Sequence, residues 1–476
     1  MTDDASNRVD STPEEAVALA VQAMRSRRYE VAGNILDQVL AAFPDHPDGL
    51  HFAGLLAAQT GDDEVAVARV RRSLEVAPGN PHAWNNYGNL LYRTGERQAA
   101  VDAWRHCLEL APDFPSALSN IGLLLREEGD VDEAEQLYRR ALEVQPDFVE
   151  ALNNLGTIEM ARNEAASAEA RFRRAIELEP GFGDAYTNLG DALERQGRRL
   201  EAAQWFWKAI AVDKGDRLAR KLLIYALVET GQRDKAIEVA REWVAAHPDD
   251  PRAHHHLAAV TGEAVPERAG DAYVEEVFDR FASTFDASLG RLGYRAPQAI
   301  ADLLARIVPV AAADLDILDA GCGTGLVGPL VRTRARRLVG VDLSGGMLVR
   351  AEKRGVYDDL IKAELTAMIS SETEAWDVVV SADTLCYFGP LDAVVATAAK
   401  ALRPGGHLLF SLEALDDDPR PHRLHPGNGR YAHSAAHVEA VAAAAGLDIV
   451  VHERTELRME GGKPVAGHLY ALRRSA

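Results

Sequence analysis

Cysteine is scarce: Cys107, Cys322 and Cys386 are the three in 476 residues, and no two form a CxxC pair. That excludes a disulfide framework and a thiolate metal knuckle. Long apolar runs are missing as well; no stretch of about 18 apolar residues free of charge occurs, so no membrane span is expected. The opening MTDDASNRVDSTPEE has no apolar core behind basic residues, so no signal peptide is expected. The expected home is the cytoplasm. Positive charge is also short, with 52 Lys and Arg against 73 Asp and Glu and a net charge of -21. Such a surface repels a phosphate backbone, so no nucleic acid partner is expected. What remains is an ordinary folded composition, 47% hydrophobic and 26% charged, at a length that suggests two or more domains.

The first half repeats itself. Prolines recur at 44, 78, 112, 146, 180 and 248, at a period of 34 residues or, where Lys214 stands in, twice that. The clearest units are 81–114, 115–148, 149–182 and 183–216; looser copies occupy 13–46, 47–80 and 217–250. PRAHHHLAAV (251–260) has the form of one further first helix. Each unit holds two helical stretches, with Gly88, Gly122, Gly156 and Gly190 where helices must cross closely. A single pair cannot bury its apolar faces, whereas a stack of pairs can. Asn86, Asn120, Asn154 and Asn188 recur in one register, and Asn is a mediocre helix former. Two readings follow: the amides contact the backbone of an extended peptide in a groove, or they bridge adjacent repeats.

From about residue 265 the period stops and strands alternate with helices. The strand LDILDA (315–320) runs into Gly321, Gly323 and Gly325, a turn that brings bare backbone against a ligand. Strands follow at RRLVGVD (336–342), weakly at DLIKAEL (359–365), then at WDVVVSA (376–382) and GGHLLFSLE (405–413). A loop rich in Pro, Gly and His precedes the helix SAAHVEAVAAAAG. LDIVVHERTEL (447–457) and VAGHLYALRR (465–474) flank MEGGKP as an antiparallel hairpin. The adjacent His254, His255 and His256 do not make a metal site, because neighbouring helical residues point about 100° apart. No metal is expected elsewhere.

The 34-residue units resemble tetratricopeptide repeats. DAGCGTG (319–325), VGVD (339–342), WDVVVSAD (376–383) and LRPGGHLLF (402–410), in that order, resemble the class I S-adenosylmethionine-dependent methyltransferases. The whole chain resembles the bacterial group that joins the two, through YVEEVFDRFASTFD (273–286) and GRYAHS (429–434). The resemblance implies a two-domain fold. A tetratricopeptide superhelix over 13–250 follows a flexible 1–12, and a partial repeat helix and linker occupy 251–264. A Rossmann-like α/β domain over 265–476 then has a mainly parallel sheet, a terminal antiparallel hairpin and a helical lid at 265–308.

The implied cofactor is S-adenosyl-L-methionine. Gly321, Cys322, Gly323 and Gly325 would approach its ribose and methionine, Asp319 would help fix the ammonium, and Asp342 would accept from the ribose hydroxyls. Leu343 and Met347 would enclose the adenine, and Glu364 with Leu365 would meet its amino group. Ser381 and Asp383 follow strand four at the transfer edge, with Asp383 orienting the cofactor ammonium or the acceptor. Phe281 and Tyr294 would cap the pocket. His433 is a candidate general base oriented by Tyr431, with loop tethering as its other reading. Cys386 would be a small apolar filler rather than a nucleophile, because no base–orienter pair is evident near it. A peptide or protein acceptor held along the repeat groove is the expected partner. The alternatives are a small-molecule acceptor with repeats that dimerise or recruit, and a noncatalytic scaffold that binds cofactor.

Overall fold

The computed structural model describes residues 12–282, 285–308, 314–416, 418–460 and 463–475. It divides into two compact units, one of Met1–Glu159 with Glu177–Glu179, the other of Met160–Ile176 with Pro180–Ala476. The division falls inside the repeat array, so the second unit holds the last repeats together with the sheet.

In the first unit, helices Pro81–Arg93 and Arg97–Leu110 show how one repeat is built. Asn80 caps the first by accepting from the N–H groups of His82 and Ala83, and Pro81 occupies the first turn, where its missing N–H costs nothing. Gly88 explains the recurrent glycine: a Cβ there would stand 2.4 Å from Trp104 Nε1. The indole instead fills that space and donates to Asn85 O at 3.2 Å and Asn89 Oδ1 at 3.0 Å. Gly122 meets the Tyr138 ring in the same way. The amides of the Asn register are drawn into this packing. Asn86 Nδ2 lies 3.0 Å from His51 Nε2, and Asn120 Nδ2 donates to Asn89 Oδ1 at 2.7 Å.

The second unit opens with repeat helices built alike, including Gly183–Arg195, Arg199–Val212, Arg217–Glu229 and Pro251–Thr261. Gly190 is packed against Phe206 as Gly88 is against Trp104. Helices Asp271–Phe281, Phe285–Arg291 and Ala296–Ile307 lead to the sheet. Its strands are β1 (Leu315–Ala320), β2 (Ala335–Asp342), β3 (Asp359–Lys362), β4 (Trp376–Ser381), β5 (Leu402–Ala414), β6 (His422–Leu424), β7 (Tyr431–His433), β8 (Leu447–Glu460) and β9 (Lys463–Arg474).

Strands β3, β2, β1, β4 and β5 pair in that order and in parallel, β9 runs antiparallel to β5, and β8 closes the edge on β9. All six residues of β1 are buried, as expected of a strand covered on both faces. Two local expectations change. Strand β3 ends at Lys362, and Glu364 instead caps helix Leu365–Ser370 by accepting from Thr366 N and Ala367 N. The expected loop after β5 contains β6 and β7, with β7 pairing alongside Glu413 and Ala414 at the carboxyl end of β5. No described helix is long and apolar enough to cross a membrane.

Candidate active site

Parallel strands leave a crevice beyond their carboxyl ends, and ligands of open α/β sheets bind there. In the second unit this crevice is a cavity of about 790 Å³. At its centre the chain leaves β1 through Gly321 (φ 77°), Gly323 (φ 54°) and Gly325 (φ 81°), all in the left-handed region that a side chain resists. The turn is tied down from both sides. Gly321 N and Cys322 N donate to Val341 O, and Gly323 N donates to Asp342 Oδ2 at 2.9 Å. Asp342 Oδ1 accepts from Ser344 N at 2.8 Å. Burial nevertheless pushes the Asp342 carboxyl above its usual range, against the pull of these N–H groups.

Two acids from the preceding helices also reach this turn, and neither stood out in the sequence. Asp279 Oδ1 accepts from Ser344 Oγ at 2.5 Å and from Gly346 N at 2.9 Å. Asp286 bonds Thr324 Oγ1 and pairs with Arg354. Both lie in stretches with the polar alternation of an ordinary amphipathic helix.

Most of the expected cofactor residues converge here. Gly321, Cys322, Gly323, Asp342, Leu343, Glu364, Leu365, Asp383 and Tyr294 line the cavity. Gly325 does not, although Gly325 N donates to Cys322 O within the turn. Asp319 lies behind the lining: its Oδ2 accepts from Tyr357 Oη at 2.6 Å, while Oδ1 is buried without a partner among the described residues. Burial raises its carboxyl to about 7. Ser381 is spent on Ala320 O at 3.0 Å, and Met347 is fully buried away from the lining. The Phe281 side chain lies outside the described residues.

The expected base does not reach the cavity. His433 is fully buried in β7, with Nε2 bonded to Gly389 O at 2.9 Å, and burial lowers its pKa to about 3. Tyr431 donates to Pro266 O at 2.6 Å rather than to His433. Short strand pairing turned both side chains into the packing, where sequence position alone suggested an acceptor loop. This corrects the base assignment in favour of tethering. Cys322 and Cys386 are buried thiols whose pKa burial drives well above the usual value, which leaves them neutral.

At the transfer edge Asp383 has φ 58°, an uncommon state for a residue other than glycine. Its N–H donates to Ser411 Oγ at 2.9 Å, and its Oδ2 accepts from Arg458 Nη1 at 2.9 Å. Arg458, almost wholly buried, also pairs with Glu413, which accepts from Arg430 Nη1 at 3.1 Å. Burial pushes Glu413 up to about 7. The far wall comes from the repeats of the same unit: Glu194, Arg199, Lys221, Tyr225 and Glu229 line the same cavity. His255 Nε2 bonds Gly429 O at 2.8 Å and fixes helix Pro251–Thr261 to the loop that carries Arg430.

Residues 292–452 match the family model of a methyltransferase domain. Residues 17–81, 153–217 and 218–260 match tetratricopeptide repeat models, and 57–151 match the model of the cilia and flagella-associated protein 70 middle TPR-like domain. Methyltransferase-like protein 27 of Homo sapiens is 40% identical over 84 residues, which are 17% of this chain and 34% of that protein. Malonyl-[acyl-carrier protein] O-methyltransferase of Serratia marcescens is 33% identical over 95 residues, 20% of this chain and 37% of the relative. A solved structure of magnesium protoporphyrin IX methyltransferase from Synechocystis, described with bound SAH, aligns with 43% of this chain and all of its own, at 19% identity and a TM-score of 0.33. The chain spans about a third of the length of these curated relatives.

Proposed function

The chain joins tetratricopeptide repeats to a methyltransferase domain of the S-adenosylmethionine-dependent class, and from that premise we propose that it methylates a peptide or protein acceptor docked by the repeats. The proposed organisation is repeats over 13–250, a partial helix and linker over 251–264, and the methyltransferase domain over 265–476. The observation that carries the reading is the cavity itself. One of its walls is the glycine turn clamped to Asp342, and another is made by Lys221, Tyr225 and Glu229 of a repeat helix.

The residues present suit the cofactor. Bare backbone at Gly321 and Gly323 admits its ribose and methionine, and Asp342 stands at the end of β2 to accept from ribose hydroxyls. Asp319 Oδ1, buried and without a partner among the described residues, suits an ammonium donor. Leu343, Leu365 and Glu364 would flank the adenine, and Tyr294 would shield the transfer edge. S-adenosylmethionine supplies a methyl group already activated by a sulfonium. The protein therefore has to align the acceptor nucleophile in line with it and exclude water.

Transfer of labelled methyl from S-adenosylmethionine into a size-fractionated lysate, wild type beside Asp342→Ala, tests the proposal. Wild-type-dependent label in a discrete polypeptide supports it. Label confined to small molecules favours a second reading, small-molecule methylation with the repeats serving recruitment or dimerisation. The name of another similar protein, trans-aconitate 2-methyltransferase of Paracidovorax citrulli, is the observation that favours that reading. Cofactor binding without transfer to either fraction would favour the scaffold.

A further inference from the structure

Besides Tyr294, three tyrosines from separate parts of the chain line the same cavity: Tyr225 of helix Arg217–Glu229, Tyr273 of helix Asp271–Phe281, and Tyr387 of the turn after β4. Their rings are fixed. Tyr273 stacks on His255 at 4.3 Å, while Tyr225 and Tyr387 meet His256 and Phe278 edge-on, each at 5.5 Å. None of the three hydroxyls makes a hydrogen bond among the described residues. Burial keeps all three protonated, Tyr273 with a pKa pushed up to about 12. Each therefore offers a donor and a lone pair.

Asp383 stands in the same lining with its Oδ2 occupied by Arg458 and its Oδ1 buried without a partner among the described residues. A buried carboxylate oxygen lacking a donor costs stability until a ligand provides one. The charge balance points the same way. Seven acidic side chains and six basic ones line the cavity, so an anion gains nothing overall. Around Asp383 the two guanidiniums of Arg430 and Arg458 are already shared with Glu413 and Glu460.

We propose that the acceptor is a primary ammonium, received by Asp383 Oδ1 and the hydroxyls of Tyr225, Tyr273 and Tyr387, one side of this subsite being supplied by a repeat helix. The inference rests on the methyltransferase reading. An ammonium brings three donors, enough for the carboxylate oxygen and two of the three phenol lone pairs at once. A carboxylate acceptor brings no donor to Oδ1 and adds a charge beside Asp383.

The chemistry balances. The ammonium gives one proton to the Asp383 carboxylate, whose burial raises its affinity for it. The freed nitrogen lone pair bonds to the methyl carbon as the carbon–sulfur bond breaks. The sulfur keeps that electron pair and becomes a neutral thioether, the product leaves as a methylammonium, and Asp383 returns its proton to water.

A lysyl side chain and a peptide N-terminus share this chemistry. Calorimetric titration of the full chain, saturated with S-adenosylhomocysteine, would use n-butylamine, butyrate, Nα-acetyl-lysine amide and alaninamide. The amine is expected to bind at least about tenfold more tightly than butyrate, ~1.4 kcal/mol. Tighter binding of acetyl-lysine amide than of alaninamide assigns a side chain; the reverse assigns an N-terminus. Asp383→Asn, which tolerates the left-handed backbone, should weaken the amine about tenfold and leave S-adenosylhomocysteine affinity unchanged. Tyr387→Phe keeps the ring and removes only the hydroxyl. It should weaken the amine about threefold to tenfold and carries the test if Asp383→Asn does not fold.

Equal or tighter binding of butyrate overturns the proposal, as does absence of amine binding. So does a loss of S-adenosylhomocysteine affinity in Asp383→Asn with amine binding intact, which would assign Asp383 to the cofactor. Failure of the wild type to bind S-adenosylhomocysteine would instead sink the methyltransferase reading.

Discussion

The backbone N–H of Gly323 donates to Asp342 Oδ2 at 2.9 Å, so the turn after β1 and the end of β2 form one clamp in the wall of the cavity. The other Asp342 oxygen is held by Ser344 N, which fixes the carboxylate from its second side.

The glycines of that turn are unequal. A Cβ on Gly321 would stand 2.2 Å from Thr384 Oγ1, whereas one on Gly323 meets nothing within 4 Å. Gly323→Ala should therefore cost only the left-handed strain, about 1–2 kcal/mol, and Gly321→Ala should cost more. Thermal melts of the two variants decide this, and equal losses would contradict it.

The period of 34 and the glycine turn were legible because both are local. Repeats show as spacing, and a strand that ends in alternate glycines needs no partner to be recognised. Arg458 was not legible. Its strand segment, ERTELRME, alternates like a solvated edge, yet in the fold Arg458 is buried against carboxylates at positions 383 and 413. Tyr225 was hidden for the same reason: in a repeat helix it has the look of routine packing, and only the tertiary fold places it in the cavity lining. His433 misled because a histidine after strand five suggests a base until β7 buries it.

Asp319 should confer a pH dependence. Its carboxyl is raised from 3.8 to about 7, chiefly by burial, so the folded protein holds the proton more strongly than the unfolded chain. Its contribution to the stability of the ligand-free protein is present at low pH and is lost as pH rises from 3.8 through about 7. Cofactor affinity should move oppositely, weakening as pH falls below about 7, because only the ionised form attracts an ammonium. Asp319→Asn should abolish both trends. Affinity independent of pH in the wild type would remove Asp319 from the site.

The asparagines separate by partner. Asn120→Ala removes the 2.7 Å bond to Asn89 and should cost about 1 kcal/mol in urea unfolding. Asn154→Ala should cost less, which makes it the cleaner probe of docking. A raised KM for a polypeptide acceptor at unchanged cofactor affinity supports a peptide groove; an unchanged KM counts against one.

His433→Gln should lower Tm by disturbing the bond to Gly389 O and leave the pH dependence of kcat in place. With its pKa lowered by burial to about 3, the imidazole stays neutral and takes up no proton near neutral pH. Loss of an inflection near neutrality would restore it as a base.

The most direct test of the central claim is calorimetric titration of S-adenosylmethionine into the wild-type chain and into Asp342→Ala. Saturable binding at one site per chain is predicted, weakened by about 1–3 kcal/mol when the Asp342 carboxylate is removed. No binding to the wild type, or equal affinity in both proteins, would contradict the account.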